Sequence, residues 1–404
     1  MNVATKTAAS PAHLAASRTN VVALAENDLA EIAGFIASQS GRSPQAVEDH
    51  LRWFLLQNPA REPEDPLGFG LRSPDRQSDD RLSNDRRSND RRSNDRRSND
   101  RRSQDRLVGC ILCSPQTFRI GDQIIHLMGS SSFYVEETFR GQGARIFLRY
   151  TRIPAPLFGS SANADAAALW KAAGATPIPF SDGELFGVLH WPPVAEEFAH
   201  RKHSHRLVTR LASSPISNLA KLCRPLKLAA HSSTSLRLLT SPEQIGKLLN
   251  DLPENDFSLG GPSQKLTALR DLRYIRWRYF SAHDETTAAF AFRSRSATRE
   301  ILVTVNIRQR GYRGQINVLN ILDVYPEASC EEWLEIVSAL AQRYRSVVDA
   351  IVLRNQNPER KKLLCSRGFL WRAFDASTGW FLDKVKRLPA QPWYSVPADG
   401  DALI

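Results

Sequence analysis

No apolar run in the 404 residues approaches the roughly 18 to 20 needed to span a bilayer, so a membrane-spanning helix is not expected. The opening MNVATKTAASPAHLAASRTN also lacks the continuous apolar block of a signal peptide, and a cytoplasmic protein is the expectation. Cysteine is scarce: Cys110, Cys113, Cys223, Cys330 and Cys365 are odd in number and scattered, which fits reduced thiols better than a disulfide framework. Cys110 and Cys113 form a C-x-x-C within the strand-like run LVGCILC, where residues three apart face opposite sides of a sheet. Core packing is therefore expected of them, not metal or redox work, and no metal is called for elsewhere. What is present, 42% hydrophobic and 24% charged residues, is the composition of a globular chain long enough for two or three domains.

Acidic residues are missing from one long stretch. Residues 198–242 carry eight basic side chains and no Asp or Glu, hence +8. Residues 73–107, which run SPDRQ, SDDRL, four copies of SNDRR and SQDRL, hold eleven Arg and eight Asp, hence +3. These two windows account for the whole net charge of +11, so the rest of the chain is neutral. The basicity belongs to two connectors, and the repeat lacks the aromatics that stack on bases; nucleic acid is not the expected partner. RLVTRLASSPISNLAKLCRPLKLAA, within the first window, reads as an interdomain linker packing its apolar side on its neighbours. The alternative is a pair of short basic amphipathic helices resting on an anionic membrane surface.

Apolar side chains are almost absent from 73–107, which leaves nothing to offset the ~1 to 2 kcal/mol per residue that ordering the backbone costs. Disorder is the expectation there. The flanks PLGFGL and LVGCILC both look like strands, so the repeat reads as an insertion in a hairpin turn.

With the connectors set aside, two halves echo one another. HLRWFLLQNP carries Trp53 and YIRWRYFSAH carries Trp277, each preceded by Arg. Further on, NADAAALWKAAGA and NPERKKLLCSRGF both start on an Asn followed 11 positions later by a Gly: Asn163 with Gly174, and Asn357 with Gly368. The Asn is a natural N-cap and the Gly a natural helix stop. Trp53 lies 110 residues before Asn163, or 75 once the 35-residue window is removed, against 80 from Trp277 to Asn357. The spacing predicts a duplication interrupted once.

In the first half SSSFYVEETFRGQGARIFLRY runs strand, glycine-rich turn, helix. Such a turn aims backbone N–H groups at a phosphate, with the helix N-terminus adding a favourable dipole. VEETFRGQGA, residues 135–144, followed by Asn163, Ala166, Leu169 and Gly174, resembles the GNAT superfamily of acyl-CoA-dependent acyltransferases. The resemblance covers 20–193 well and 235–386 weakly. It implies an α/β (α+β) GNAT-like fold, two tandem domains with mixed central sheets, the first complete and the second degenerate. It also implies acetyl-CoA or another acyl-CoA as co-substrate, its pyrophosphate wrapped by the R-x-x-G-x-G/A turn and its thioester lying where the fourth and fifth strands splay. The residues so marked are Val135, Arg140, Gly141, Gln142, Gly143, Ala144, Arg145 and Asn163; Arg145 stands where the family has Gly or Ala.

Transfer to an amine asks for a proton acceptor, an oxyanion donor and an acid for the thiolate. The family often supplies the acid as a Tyr where this chain has Trp170, and indole cannot donate a proton that way. The strand IIHLMGSSSFYV carries no carboxylate, leaving His126, Tyr134 and Glu136 as candidates for proton handling, with a surface or core role as the competing reading of each. In the second half LNILDVYPEASCEEWLEIVSAL has no glycine turn and Leu364 holds the Tyr position, so CoA is not expected there.

The expected plan is a disordered 1–19, an acyl-CoA-binding domain at 20–197, a basic linker at 198–234, a second domain at 235–387 and a tail at 388–404. The paired Arg-Trp segments resemble tandem proteins of bacterial exopolysaccharide and cell-wall loci, including Fem-type aminoacyltransferases. The function so implied is transfer of an acyl group, other than aminoacyl, to an amine or hydroxyl of a small-molecule or saccharide acceptor. The alternative is a catalytically silent tandem protein that binds a ligand or partner.

Overall fold

The computed structural model describes residues 19–74, 105–121, 123–204, 226–228, 236–251, 266–280, 286–295, 299–311, 314–354, 357–384, 388 and 393–394. The chain forms two compact units: 1–48 with 66–112 and 132–152, and 49–65 with 113–131 and 153–404.

In the first unit β1 (Asn20–Ala23) pairs antiparallel with β2 (Gly68–Pro74), which in turn pairs with the start of β3 (Asp105–Ile120). β2 and β3 are the hairpin arms expected on either side of the repeat. Their pairing reaches Ser73↔Arg106 and Pro74↔Asp105, so both ends of the window 73–107 are ordered strand and not disordered. Leu107 and Ser73 are buried there, and ladder hydrogen bonds offset the backbone entropy that the repeat itself cannot. Residues 75–104 lie outside the described residues. Helix Leu29–Ser40 anchors to this hairpin through Arg72, which meets Asp28 at 2.9 Å and Glu31 at 2.6 Å, while Glu31 Oε1 accepts from the Leu107 amide. Helix Gly143–Tyr150 packs its buried Ile146, Phe147 and Tyr150 inward, with Arg149 over the Phe69 ring.

Excising residues 77–103 should leave a short turn between Pro74 and Asp105. The shorter loop favours folding by about 2 kcal/mol, some three halvings of loop length. A thermal melt is expected to show one cooperative transition no lower than that of the full chain, and a broadened or lowered transition would count against an insertion.

The second unit holds the rest of β3, the start of β4 (Gln123–Val135) and two groups of strands. β4 pairs in parallel with β5 (Leu157–Gly159), whose other edge takes β15 (Trp380–Leu382). β15 also pairs β6 (Thr176–Pro177). The larger sheet has the order β14 (Leu370–Ala373), β7 (Gly183–Val188), β13 (Ala350–Arg354), β12 (Ile316–Tyr325), β11 (Glu300–Arg310), β10 (Thr287–Arg293) and β8 (Leu236–Leu239). β9 (Leu266–Ala268) pairs the end of β3, and β16 (Trp393–Tyr394) pairs β9.

This pairing differs from a serial division of the chain. β7 falls within 20–197 yet is hydrogen-bonded between β13 and β14 of the second half, while β15 falls within 235–387 yet completes the sheet of the first. The boundary at 197 lies inside helix Trp191–Ser204, and the stretch 388–404 contributes β16. Of the linker 198–234 beyond that helix only 226–228 is described; Leu226 and Leu228 pack on the core of the larger sheet, and the Lys227 amide donates to the Arg367 carbonyl. That core includes Phe290, Val303, Leu319, Trp333, Ile336 and Ile351, each worth ~1.5 to 3 kcal/mol when fully buried.

The duplicated signatures fold alike. Asn163 caps helix Ala164–Ala172 by accepting from the Ala166 amide at 2.9 Å, and Asn357 caps Pro358–Ser366 by accepting from the Arg360 amide at 2.8 Å. Gly174 and Gly368 follow at φ +83° and +102°, the left-handed region that stops a helix and favours glycine. Arg52–Leu56 and Arg276–Phe280, the two Arg-Trp segments, both form wide π-type turns.

Candidate acyl-CoA site

β4 carries the candidate turn. Its parallel pairing with β5 is confined to Met128, Gly129 and Ser130, although the strand continues to Val135. Two residues past the last pair, Ser132 sits at φ +49°, a strained conformation for a residue with a side chain.

After β4 the chain does not form an open loop. Glu137–Gln142 is a 3₁₀ turn that runs directly into helix Gly143–Tyr150. The Phe139 amide donates to the Glu136 carbonyl at 2.8 Å and the Gly143 amide to that of Arg140. Gly143 is buried, and a Cβ there would lie 3.3 Å from Val135 and 3.5 Å from Phe133, so this glycine serves helix-on-strand packing. Gly141 faces open space. Arg140 is exposed with no ion pair or hydrogen bond among the described residues, and Val135 and Ala144 are half-buried. Arg145 is committed within the protein: its Nη1 donates to Thr19 Oγ1 at 2.6 Å and to Gln142 Oε1 at 2.9 Å, and its Nη2 to the Thr19 carbonyl at 3.0 Å. Where the family has a small residue, this chain uses a cation to hold buried Thr19, just ahead of β1, against the turn. The surface offered to an anion is thus Arg140 and Gly141, since the 3₁₀ turn covers the helix start and carries Glu137 in its own first turn.

The proton-handling candidates fare unequally. Glu136 is held by Arg106 at both oxygens, Oε2 at 2.9 Å from Nη2, so both oxygens are committed within the protein. Tyr134 is half-buried on β4. His126 Nε2 lies 3.3 Å from Asp65 Oδ2, within ion-pair range without the alignment of a hydrogen bond. Tyr134 through Arg145 belong to the first unit; His126 and Asn163 belong to the second. Trp170 is 2% exposed, and a Cβ on Gly159 of β5 would come within 3.0 Å of its ring, so the position that often carries the family's acid is filled by a packing residue. Cys110 and Cys113 are buried thiols; burial pushes Cys110 up to about 12, and burial with the Asp65 charge pushes Cys113 up as well, which makes both unreactive.

The corresponding turn of the second half is closed to anions. Ser329 and Glu332 cap helix Cys330–Tyr344 reciprocally, and Glu331 and Glu332 occupy its first turn, Glu332 paired with Arg299 at 2.9 Å. Two buried polar clusters of that half escaped the sequence reading: Arg270, Tyr279 and Asp323, and the arginines around Glu184. The signal available for both was a lone acid in an apolar strand, LNILDVY and GELFGV.

No family model and no curated protein matches the chain. Among solved structures, Saccharomyces cerevisiae N-myristoyltransferase with bound myristoyl-CoA aligns at 10% identity with a TM-score of 0.52, over 93% of this chain and 80% of that one. A probable N-acyltransferase from Enterococcus faecalis V583 aligns at 8% identity and a GCN5-related N-acetyltransferase from Anabaena variabilis ATCC 29413 at 10%. Both cover 90% of this chain at a TM-score of 0.49, and the alignments take in 71% and 72% of those chains respectively.

Proposed function

From the GNAT-superfamily acyltransferase fold that this chain shares with the yeast N-myristoyltransferase structure, we propose that it transfers an acyl group from acyl-CoA to an amine or hydroxyl. The observation that carries this reading is the exposed Arg140, unpaired among the described residues, beside open Gly141 just ahead of helix Gly143–Tyr150, following a strand that outruns its parallel partner. Arg140 supplies a fork of donors to a pyrophosphate and Gly141 leaves room for it. When bound, acyl-CoA supplies the thioester. The acceptor we favour is an exopolysaccharide or envelope precursor, on the resemblance of the paired Arg-Trp segments to tandem proteins of such loci. Among the proton-handling candidates His126 and Tyr134 remain, since Glu136 is engaged by Arg106.

A second reading, a silent acyl-CoA-binding protein, is favoured by three observations: Trp170 packed at the acid position, Arg145 spent on Thr19, and Glu136 spent on Arg106. Calorimetry with acetyl-CoA and longer acyl-CoAs, followed by an assay for free CoA thiol, separates these outcomes. Binding should weaken roughly 10- to 100-fold in Arg140→Glu, the loss of charge-assisted hydrogen bonds. Substituting Gly143 instead would not test the turn, because a side chain there would be driven into Val135 and Phe133. Absence of heat from every acyl-CoA removes both readings; heat without thiol release with any amine or saccharide leaves the silent one.

A further inference from the structure

Helix Gly143–Tyr150, in the first unit, buries Ile146, Phe147 and Tyr150 and leaves Arg145, Leu148 and Arg149 exposed. Side chains three and four apart share a helix face, so these three form one stripe. The turn that follows extends it with exposed Arg152, whose amide donates to the Arg149 carbonyl at 3.1 Å. Leu148, in the middle of the stripe, is 55% exposed.

Among the described residues no carboxylate neutralises any of the three arginines. Arg145 gives its donors to neutral acceptors, the Thr19 hydroxyl and carbonyl and the Gln142 amide oxygen, so it is held in place and keeps its charge. Arg149 lies 5.9 Å from the centre of the Phe69 ring of β2, a contact that steadies a guanidinium and leaves it cationic. Arg152 makes no ion pair or side-chain hydrogen bond among the described residues. β1 and β2, which pack against the helix, contain no acid, and the 3₁₀ turn Glu137–Gln142 contains only Glu137, which pairs with none of these arginines. Of the unit's other acids, Glu136 is taken by Arg106, and Asp28 and Glu31 by Arg72. The sequence sharpens the bias: residues 138–164 hold four Arg and no Asp or Glu, and residues 1–19, which end at the Thr19 held by Arg145, carry Lys6 and Arg18 and no acid. A soluble surface ordinarily intersperses both signs of charge. This face carries one sign only, with an apolar side chain at its centre.

We infer that the outer face of helix Gly143–Tyr150 docks on an anionic bilayer surface, with Arg145, Arg149 and Arg152 among the lipid headgroups and Leu148 entering the headgroup region. Leu148 decides between polyanions: a bilayer interface rewards an apolar side chain set among cations, whereas a nucleic-acid backbone offers it nothing. The stripe also has no aromatic ring to stack on bases. Each Arg close to an anionic surface strengthens adsorption about fivefold, so three of them with one Leu give a reversible, salt-sensitive attachment. The assignment goes beyond the acyl-CoA reading and does not depend on it, since that reading rests on Arg140 and Gly141 ahead of the helix.

The test is co-sedimentation of the full chain with vesicles of equal parts phosphatidylserine and phosphatidylcholine, against phosphatidylcholine alone. Binding is expected only to the anionic vesicles and should fall as salt is raised. The double variant Arg149→Gln with Arg152→Gln should weaken it about tenfold or more, and Leu148→Ser by a smaller factor, with thermal melts close to the parent because all three side chains are exposed. Arg237→Ala, at an exposed pair with Glu300, should leave it unchanged. No binding to the anionic vesicles, or equal binding by the double variant, overturns the assignment. So does binding lost only when Arg206, Arg210, Lys221 and Arg224 are neutralised, which would make the linker the contact. Binding to RNA that Leu148→Ser leaves intact, without vesicle binding, would make the partner a nucleic acid. Loss of acyl-CoA affinity in the double variant with vesicle binding unchanged would return these arginines to the acyl-CoA site.

Discussion

Replacing Asp323 by Ala is expected to lower folding stability by about 3 to 5 kcal/mol, the usual cost of leaving a buried partner charge uncompensated. Asp323 and Arg270 are both wholly buried side chains, joined through Nε at 2.9 Å and Nη2 at 3.3 Å. Tyr279 donates its hydroxyl to the same carboxylate at 2.8 Å, and Arg270 lies over the rings of Tyr274 and Tyr325. Burial first, then the Asp323 charge, hold the Tyr279 hydroxyl in its protonated, donating form. Loss of the carboxylate strands a guanidinium and a phenol together, against a total stability of only ~5 to 15 kcal/mol for a typical domain. Guanidinium-chloride unfolding would measure the loss. The double replacement Arg270→Met with Asp323→Leu should recover most of it, because an apolar pair of similar volume does not carry the desolvation cost. A single Asp323→Ala change within 1 kcal/mol of the parent would contradict this account.

The second large effect concerns the two tryptophans. Trp53 Nε1 donates to the Trp277 carbonyl at 2.8 Å and Trp277 Nε1 to the Trp53 carbonyl at 2.9 Å, with the rings stacked at 5.5 Å. Each residue of the duplicated Arg-Trp motif therefore bonds the other's backbone reciprocally, and the Arg278 guanidinium lies over both indoles. Either Trp→Ala change should cost about 3 to 5 kcal/mol. The double variant should cost less than the sum by ~1 to 3 kcal/mol, since the first change already removes half the shared bonds. Trp53→Phe and Trp277→Phe should cost similar amounts, each leaving one buried carbonyl without its donor. A double-mutant cycle by urea unfolding reads the coupling; additivity within about 0.5 kcal/mol would show the two rings to be independent core residues.

Local chemistry was legible in the sequence, and long-range pairing was not. The caps at Asn163 and Asn357 and the stops at Gly174 and Gly368 follow from groups within one turn of helix, so residue identity and spacing determine them. The hairpin around the repeat was legible because both arms alternate with a polar, apolar-poor insert. The duplicated Arg-Trp segments were visible as an echo, but their mutual hydrogen bonds join residues 224 positions apart and involve main-chain carbonyls that carry no sequence signature. The destinations of β7 and β15 were likewise illegible: GELFGV and WFL are short apolar runs that suit any strand position. At the turn, glycines alone suggested an open phosphate loop; the structure assigns Gly143 to packing and Arg145 to holding Thr19, leaving Arg140 and Gly141 as the outward face.

The exchange of β7 and β15 sets a schedule for synthesis. Gly159 of β5 receives its neighbour Trp380 only after 221 further residues have been made. At roughly 5 to 20 residues per second that edge stands unpaired for about 10 to 45 s on every ribosome. An unpaired strand edge is a template for foreign strands. A chain truncated before β15 would leave the β5 edge open permanently, so the first half is completed only when the second has been made.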